Sequence, residues 1–142
     1  MEKSKYYTPT IDEFYVGFEY ETLPPDSTEW RKRIYSIYVD TIILNDSIQM
    51  KGNMRVRVKY LDREDILSLG WVEYKTDKQW WYTKGDYRLF NDDLTHRVHI
   101  ELYIPEKDGK PEWTHRLGTS FAGTIKNKSE LKTLLKQLSI YV

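Results

Sequence analysis

The sequence predicts an α+β fold: an antiparallel sheet of about five to seven strands, with a C-terminal amphipathic helix on one face and a short helix at 62–69. Three observations predict it. Apolar residues alternate with polar ones in several stretches of strand length, as in Met54, Val56, Val58 and Tyr60 against Arg55, Arg57 and Lys59. Near the end, Leu131, Leu134, Leu135 and Leu138 recur at helical spacing, with Lys128, Lys132 and Lys136 as the opposite stripe. Short turn signals separate the strand-like stretches, which favours antiparallel neighbours.

In chain order, Thr10-Ile11-Asp12-Glu13 reads as a short capped turn, and 15–21 as a first strand. Pro24-Pro25-Asp26 breaks the chain before a longer strand at 34–44, which Asn45-Asp46-Ser47 ends. The alternating stretch 54–60 follows. Asp62 is a good helix N-cap, the first turn behind it is acidic, and Leu61 and Ile66 stand at staple positions. Gly70 closes that helix. Strands are expected at 71–75, 79–84, 98–104 and 115–125, with turns at Thr76-Asp77-Lys78 and Lys107-Asp108-Gly109-Lys110. In the last of these strands, the small residues of Gly118-Thr119-Ser120-Phe121-Ala122-Gly123 allow close packing beneath a helix. Asn127 caps the final helix, with Glu130 as its capping-box partner. The length of 142 residues fits one domain spanning 1–142, within which 22–53 reads as an inserted hairpin or loop segment.

Composition narrows the function classes. The 12 Tyr, 5 Trp and 4 Phe are interleaved with charge, which suits half-buried sheets and contact surfaces alike. There is no cysteine, so disulfides, thiol nucleophiles and zinc-thiolate sites are excluded and a reducing cytoplasm is the expected location. The polar opening and the lack of any apolar run near the roughly 20 residues of a bilayer span lead us to expect no membrane partner. The formal charge is zero, but it is unevenly spread: residues 1–29 hold seven acids against Lys3 and Lys5, whereas 51–60 hold four bases and no acid. These regions either neutralise one another, within the fold or between copies of the chain, or leave a local basic face.

No motif commits the chain to catalysis, and no cofactor is expected. His96 and His99 would point to opposite faces of one strand and could share a metal only if the strand breaks there; Glu101 beside His99, with a strand neighbour such as His115, could assemble a His-His-carboxylate site. Glu19/Glu21 and Asp92-Asp93 are paired carboxylates of a kind that also decorates solvated strands. Arg55, Arg57 and Lys59 are more informative. Alternation places them on one face at about 7 Å intervals, a spacing that suits successive phosphates. Stacking partners would come from Trp80, Trp81 and Tyr82, with Trp81 pointing opposite to the other two. The plain alternative is a basic face paired with glutamates of the next strand.

The opening Tyr6-Tyr7-Thr8-Pro9-Thr10-Ile11-Asp12-Glu13-Phe14-Tyr15-Val16-Gly17-Phe18-Glu19-Tyr20-Glu21 resembles a family of small uncharacterised proteins of phages and prophages of Bacteroidetes hosts. Val58 to Ile66, Leu69-Gly70-Trp71 and Gly123 to Leu131 extend the resemblance in order. Residues 22–53 and the region after Lys107 depart from its short members. The resemblance implies a mobile-element origin and action in the cytoplasm of an infected or lysogenic bacterium, and it transfers no catalytic residue. The expected function is therefore non-catalytic binding of a nucleotide or nucleic acid through Arg55, Arg57, Lys59, Trp80, Trp81 and Tyr82, for example as a sponge for a nucleotide signal of host defence. A protein-interaction module, such as a virion accessory part or an inhibitor of a host enzyme, is the alternative, and a small hydrolase-type enzyme the third. Candidate partners are thus a nucleotide or nucleic acid, a protein, or a second copy of the chain.

Overall fold

A computed structural model of the protein describes residues 4–36, 54–103 and 116–140, with the side chains of 103, 116 and 117 outside the description. The expected strand at 34–44 beyond residue 36, the turns at 45–47 and 107–110, His115 and Ile104 all lie outside the described residues. The chain divides after Tyr60 into two compact units. The fold is α+β and, among the described residues, its antiparallel strands are shared between a four-stranded and a five-stranded sheet.

The first unit contains β1 (Tyr6–Tyr7), a 3-10 turn (Ile11–Glu13), β2 (Glu19–Leu23), β3 (Arg31–Ile34) and β4 (Arg55–Lys59), in the sheet order β1-β4-β2-β3. The turn forms for the capping reason its sequence offers: the Thr10 amide donates to Glu13 Oε2 at 2.7 Å. The first long strand begins at Glu19 rather than residue 15. Gly17 has φ +101° and the Phe18 amide bonds Tyr15 O at 2.9 Å, so 15–18 are spent on a turn. That turn drives Phe18 into a core with Tyr20, Val56 and Val58. Tyr7, Ile11, Phe14 and Tyr35 pack against the same cluster. β3 lies within the expected insertion 22–53 and pairs with β2: Glu21 stands between Lys32 on one side and Arg57 on the other.

The second unit contains α1 (Arg63–Ser68), β5 (Val72–Lys75), β6 (Trp80–Lys84), β7 (Tyr87–Asp92), β8 (Arg97–Tyr103), β9 (Arg116–Thr124) and α2 (Lys128–Gln137). The strands form a meander in chain order. Both helices cover one face. Leu61, Ile66 and Leu69 around α1, and Leu131, Leu134, Leu135 and Ile140 around α2, share a core with Trp71, Tyr82, Leu89, Val98 and Ile100. At the start of α1, Asp62 accepts from the Asp65 amide at 3.0 Å and Asp65 returns the bond at 3.3 Å, a capping box built from two aspartates. At its end Gly70 has φ +89°, and a Cβ there would lie 2.7 Å from Lys84 Nζ, which donates to Leu69 O. The left-handed backbone is what favours glycine here, since the lysine end could move aside.

Asn127 caps α2 by accepting from the Glu130 amide at 2.8 Å. The Glu130 carboxylate reaches back one residue further than expected, to the Lys126 amide at 2.6 Å. The helix closes with Ile140 N bonded to Leu135 O and Ser139 N to Lys136 O, the Schellman pattern, with Ser139 left-handed at φ 59°. A serine there bears the Cβ strain that glycine avoids. Ser139→Gly should therefore stabilise the protein by about 0.5–1 kcal/mol in urea unfolding, and a loss of stability would contradict this cap geometry.

Two expectations for this sheet change. β7 is an additional strand, joined to β6 by a tight turn at Gly85 (φ +58°); its alternation of Arg88, Leu89 and Phe90 is the signal. His96 is not in a strand but closes a turn with φ 57°, its amide bonded to Asp92 O at 2.8 Å. The opposite-face argument for His96 and His99 therefore does not apply. Asp92 and Asp93 belong to the same turn, accepting from the Leu94 amide and from Asn91 Nδ2.

Candidate functional site

Register determines what each face of the first sheet presents, because directly opposed residues share a face. Tyr6 stands opposite Lys59, Arg57 opposite Glu21, Glu21 opposite Lys32, and Arg55 opposite Leu23. Val56 and Val58 face the core between them. The outer face thus carries Lys32, Arg55, Arg57 and Lys59, as alternation in β4 predicts for the last three. Arg31 and Arg33 alternate to the other side of β3, and all four residues of that strand are exposed.

The aromatic partners of this basic face are not those expected from the sequence. The Arg57 guanidinium carbon lies 3.6 Å from the Tyr6 ring centroid and 4.0 Å from that of Trp30, and Arg55 lies 5.8 Å from Trp30. Tyr6 reaches it from β1 and Trp30 from the start of β3, on the other side of β4 in the sheet order, so both rings meet the one guanidinium. Arg57 also donates to Glu21 Oε1 at 3.3 Å, the cross-strand pairing of the plain alternative. Its Nε is buried without a hydrogen-bond partner among the described residues. Trp30 and the adjoining Arg31-Lys32-Arg33 were not singled out in the sequence. The run of three bases beside a tryptophan was the available signal.

Trp80, Trp81 and Tyr82 lie in the second unit and divide between the faces of β6. Tyr82 is 2% exposed and belongs to the core under the helices; burial pushes its phenol up to about 12. Such a residue offers no stacking surface. Trp80 is 37% exposed on the same side of the strand. Its indole N–H donates to Glu73 Oε2 at 3.0 Å, and Lys75 Nζ sits 4.5 Å from its ring. Glu73 in turn accepts from Arg63 at 2.7 Å, and that hydrogen bond holds its carboxyl below the usual range.

Trp81 points to the sheet's other face, where it is 6% exposed. It stacks on Tyr74 at 4.3 Å, and the Arg88 guanidinium lies 5.2 Å from Trp81 and 5.1 Å from Phe90. Arg88 is ion-paired with Glu101, donating from Nε at 2.8 Å. Glu101 Oε2 lies 3.3 Å from His99 Nε2, which is also 3.4 Å from Thr119 Oγ1. Because one imidazole nitrogen faces both partners, these three side chains do not form the two-ended relay that activates a hydroxyl nucleophile. Among the described residues no group of three or more His, Asp or Glu side chains is placed to hold a metal ion. No helix among them is long and apolar enough to cross a membrane.

Fold and faces together define an α+β protein of two antiparallel sheets, one of which bears a basic, aromatic-lined outer surface. No family model, curated protein or solved structure matches the chain.

Proposed function

We propose that the outer face of the first sheet binds a ligand that carries both phosphate and a flat base, a nucleotide or a single strand of nucleic acid, without catalysis. The observation that carries this reading is the juxtaposition of four bases, Lys32, Arg55, Arg57 and Lys59, with the rings of Tyr6 and Trp30 on one sheet face. Phosphates would meet the cations and bases would stack on the rings, the combination that sequence-tolerant single-strand binders use. Glu21 neutralises part of the charge, at Arg57. The resemblance to phage and prophage proteins adds a setting, antagonism of host defence, in which a non-catalytic nucleotide binder would act.

The test is titration at two salt concentrations with a nucleotide panel and a labelled single strand. Replacing Lys32, Arg55 and Lys59 by Gln leaves Arg57 against its rings and the core untouched. This triple variant should fold normally, bind at least about tenfold more weakly, and lower the slope of log affinity against log salt by up to about 2, at roughly 0.7 per lost phosphate contact. Equal affinity and slope in parent and variant would remove the phosphate role.

A protein-interaction role is favoured by a different feature. Val72 and Tyr74, which share a face of β5, are 66% and 51% exposed, and β5 is an edge strand of its sheet among the described residues. An exposed apolar side chain and an exposed tyrosine on an edge strand are the usual material of a docking surface.

A further inference from the structure

Flat groups stack at about 3.5–4.0 Å from carbon to carbon. The Arg57 guanidinium carbon lies at that stacking distance from two ring centroids, 3.6 Å from Tyr6 and 4.0 Å from Trp30, so the guanidinium takes the place of one planar group against both rings. We propose that this place against the two rings is a base slot which Arg57 fills in the free protein, and that a single strand binds by exchanging one base for the guanidinium, which then turns to an adjacent phosphate. The inference rests on the proposed function and specifies how that face recognises its ligand.

Three features of the site support an exchange. The slot's occupant is planar and cationic, and it lies at stacking distance from both rings, as a nucleobase would. Its pairing with Glu21 is a single contact at 3.3 Å, and both side chains are partly exposed, so little holds the guanidinium there beyond the rings themselves. Arg55 and Lys59 flank Arg57 at two-residue spacing on the same strand face, so a chain threaded through the slot would find a cation on either side. A duplex would not fit this arrangement, because its bases are stacked inward and cannot enter a slot against protein rings.

The experiment uses the full chain, with adenosine and a single strand of about twelve nucleotides as probes, read by tryptophan fluorescence and anisotropy. Arg57→Ala empties the slot and should bind adenosine about tenfold more tightly than the parent, because no guanidinium has to leave. Trp30→Leu and Tyr6→Leu should each weaken single-strand binding about tenfold, in the range of one lost stacking contact, and the duplex of the same sequence should compete poorly. If Arg57→Ala does not fold, Glu21→Gln serves instead. It frees the guanidinium from its pair, and single-strand affinity should rise about threefold; unchanged affinity would overturn the exchange. Salt-dependent binding that is indifferent to Tyr6, Trp30 and Arg57 would overturn the slot and leave the phosphate-binding face standing. Absence of any salt-dependent binding to the parent would overturn that face as well.

Discussion

Leu135→Ala is expected to destabilise the second unit by about 2–5 kcal/mol. Leu135 is fully buried on α2 and shares its cluster with Leu131, Leu134 and Ile140 and with the inward residues Leu89, Val98 and Ile100 of the sheet. Removing its branched end loses transfer free energy and opens a cavity that residues from two helices and several strands cannot all close upon. The backbone makes the position still less forgiving, because Leu135 O accepts the Ile140 amide that ends the helix. Urea unfolding followed by far-ultraviolet circular dichroism would measure the change. A loss below about 1 kcal/mol would mean that α2 is not seated on the sheet as described.

Arg88→Ala should cost about 3–5 kcal/mol, for an electrostatic reason. The Glu101 side chain is 3% exposed, and Arg88 supplies two of its hydrogen bonds from a position that also faces the Trp81 and Phe90 rings. Taking the guanidinium away leaves a charge in a dry setting that was favourable only while compensated. Replacing both partners by apolar residues of similar size, Arg88→Met with Glu101→Leu, removes the charge together with its partner and should recover most of the loss. A double-mutant cycle by chemical denaturation would separate these effects. If Arg88→Ala falls within about 1 kcal/mol of the parent, the pair contributes no more than an exposed one.

Local chemistry was legible wherever a feature closes within a few residues. The caps at Asp62 and Asn127, the stop at Gly70 and the leucine spacing of α2 each depend on neighbours within about a turn of the chain, and each is found where the sequence places it. The same holds for the outward set Arg55, Arg57 and Lys59, since alternation is a property of one strand. Where backbone geometry competes with pattern, the reading was less complete. Residues 15–18 alternate like a strand but turn at Gly17, and the small polar run before Arg97 turns at His96.

What the tertiary structure alone decided is which residues meet. Trp80, Trp81 and Tyr82 are adjacent in sequence, yet one is capped by Glu73, one stacks on Tyr74, and one is buried under the helices. The rings that meet at Arg57 come from residues 6 and 30, far from it along the chain and brought to it by the sheet order β1-β4-β2-β3. By itself the sequence determined the class of fold, the ends of the helices and the outward face of β4, because these follow from short-range spacing and backbone preference. Strand order and register are fixed instead by the burial of Phe18, Tyr20, Val56 and Val58 together, a many-body packing condition that no local spacing encodes, and that condition sets Tyr6 and Trp30 against Arg57.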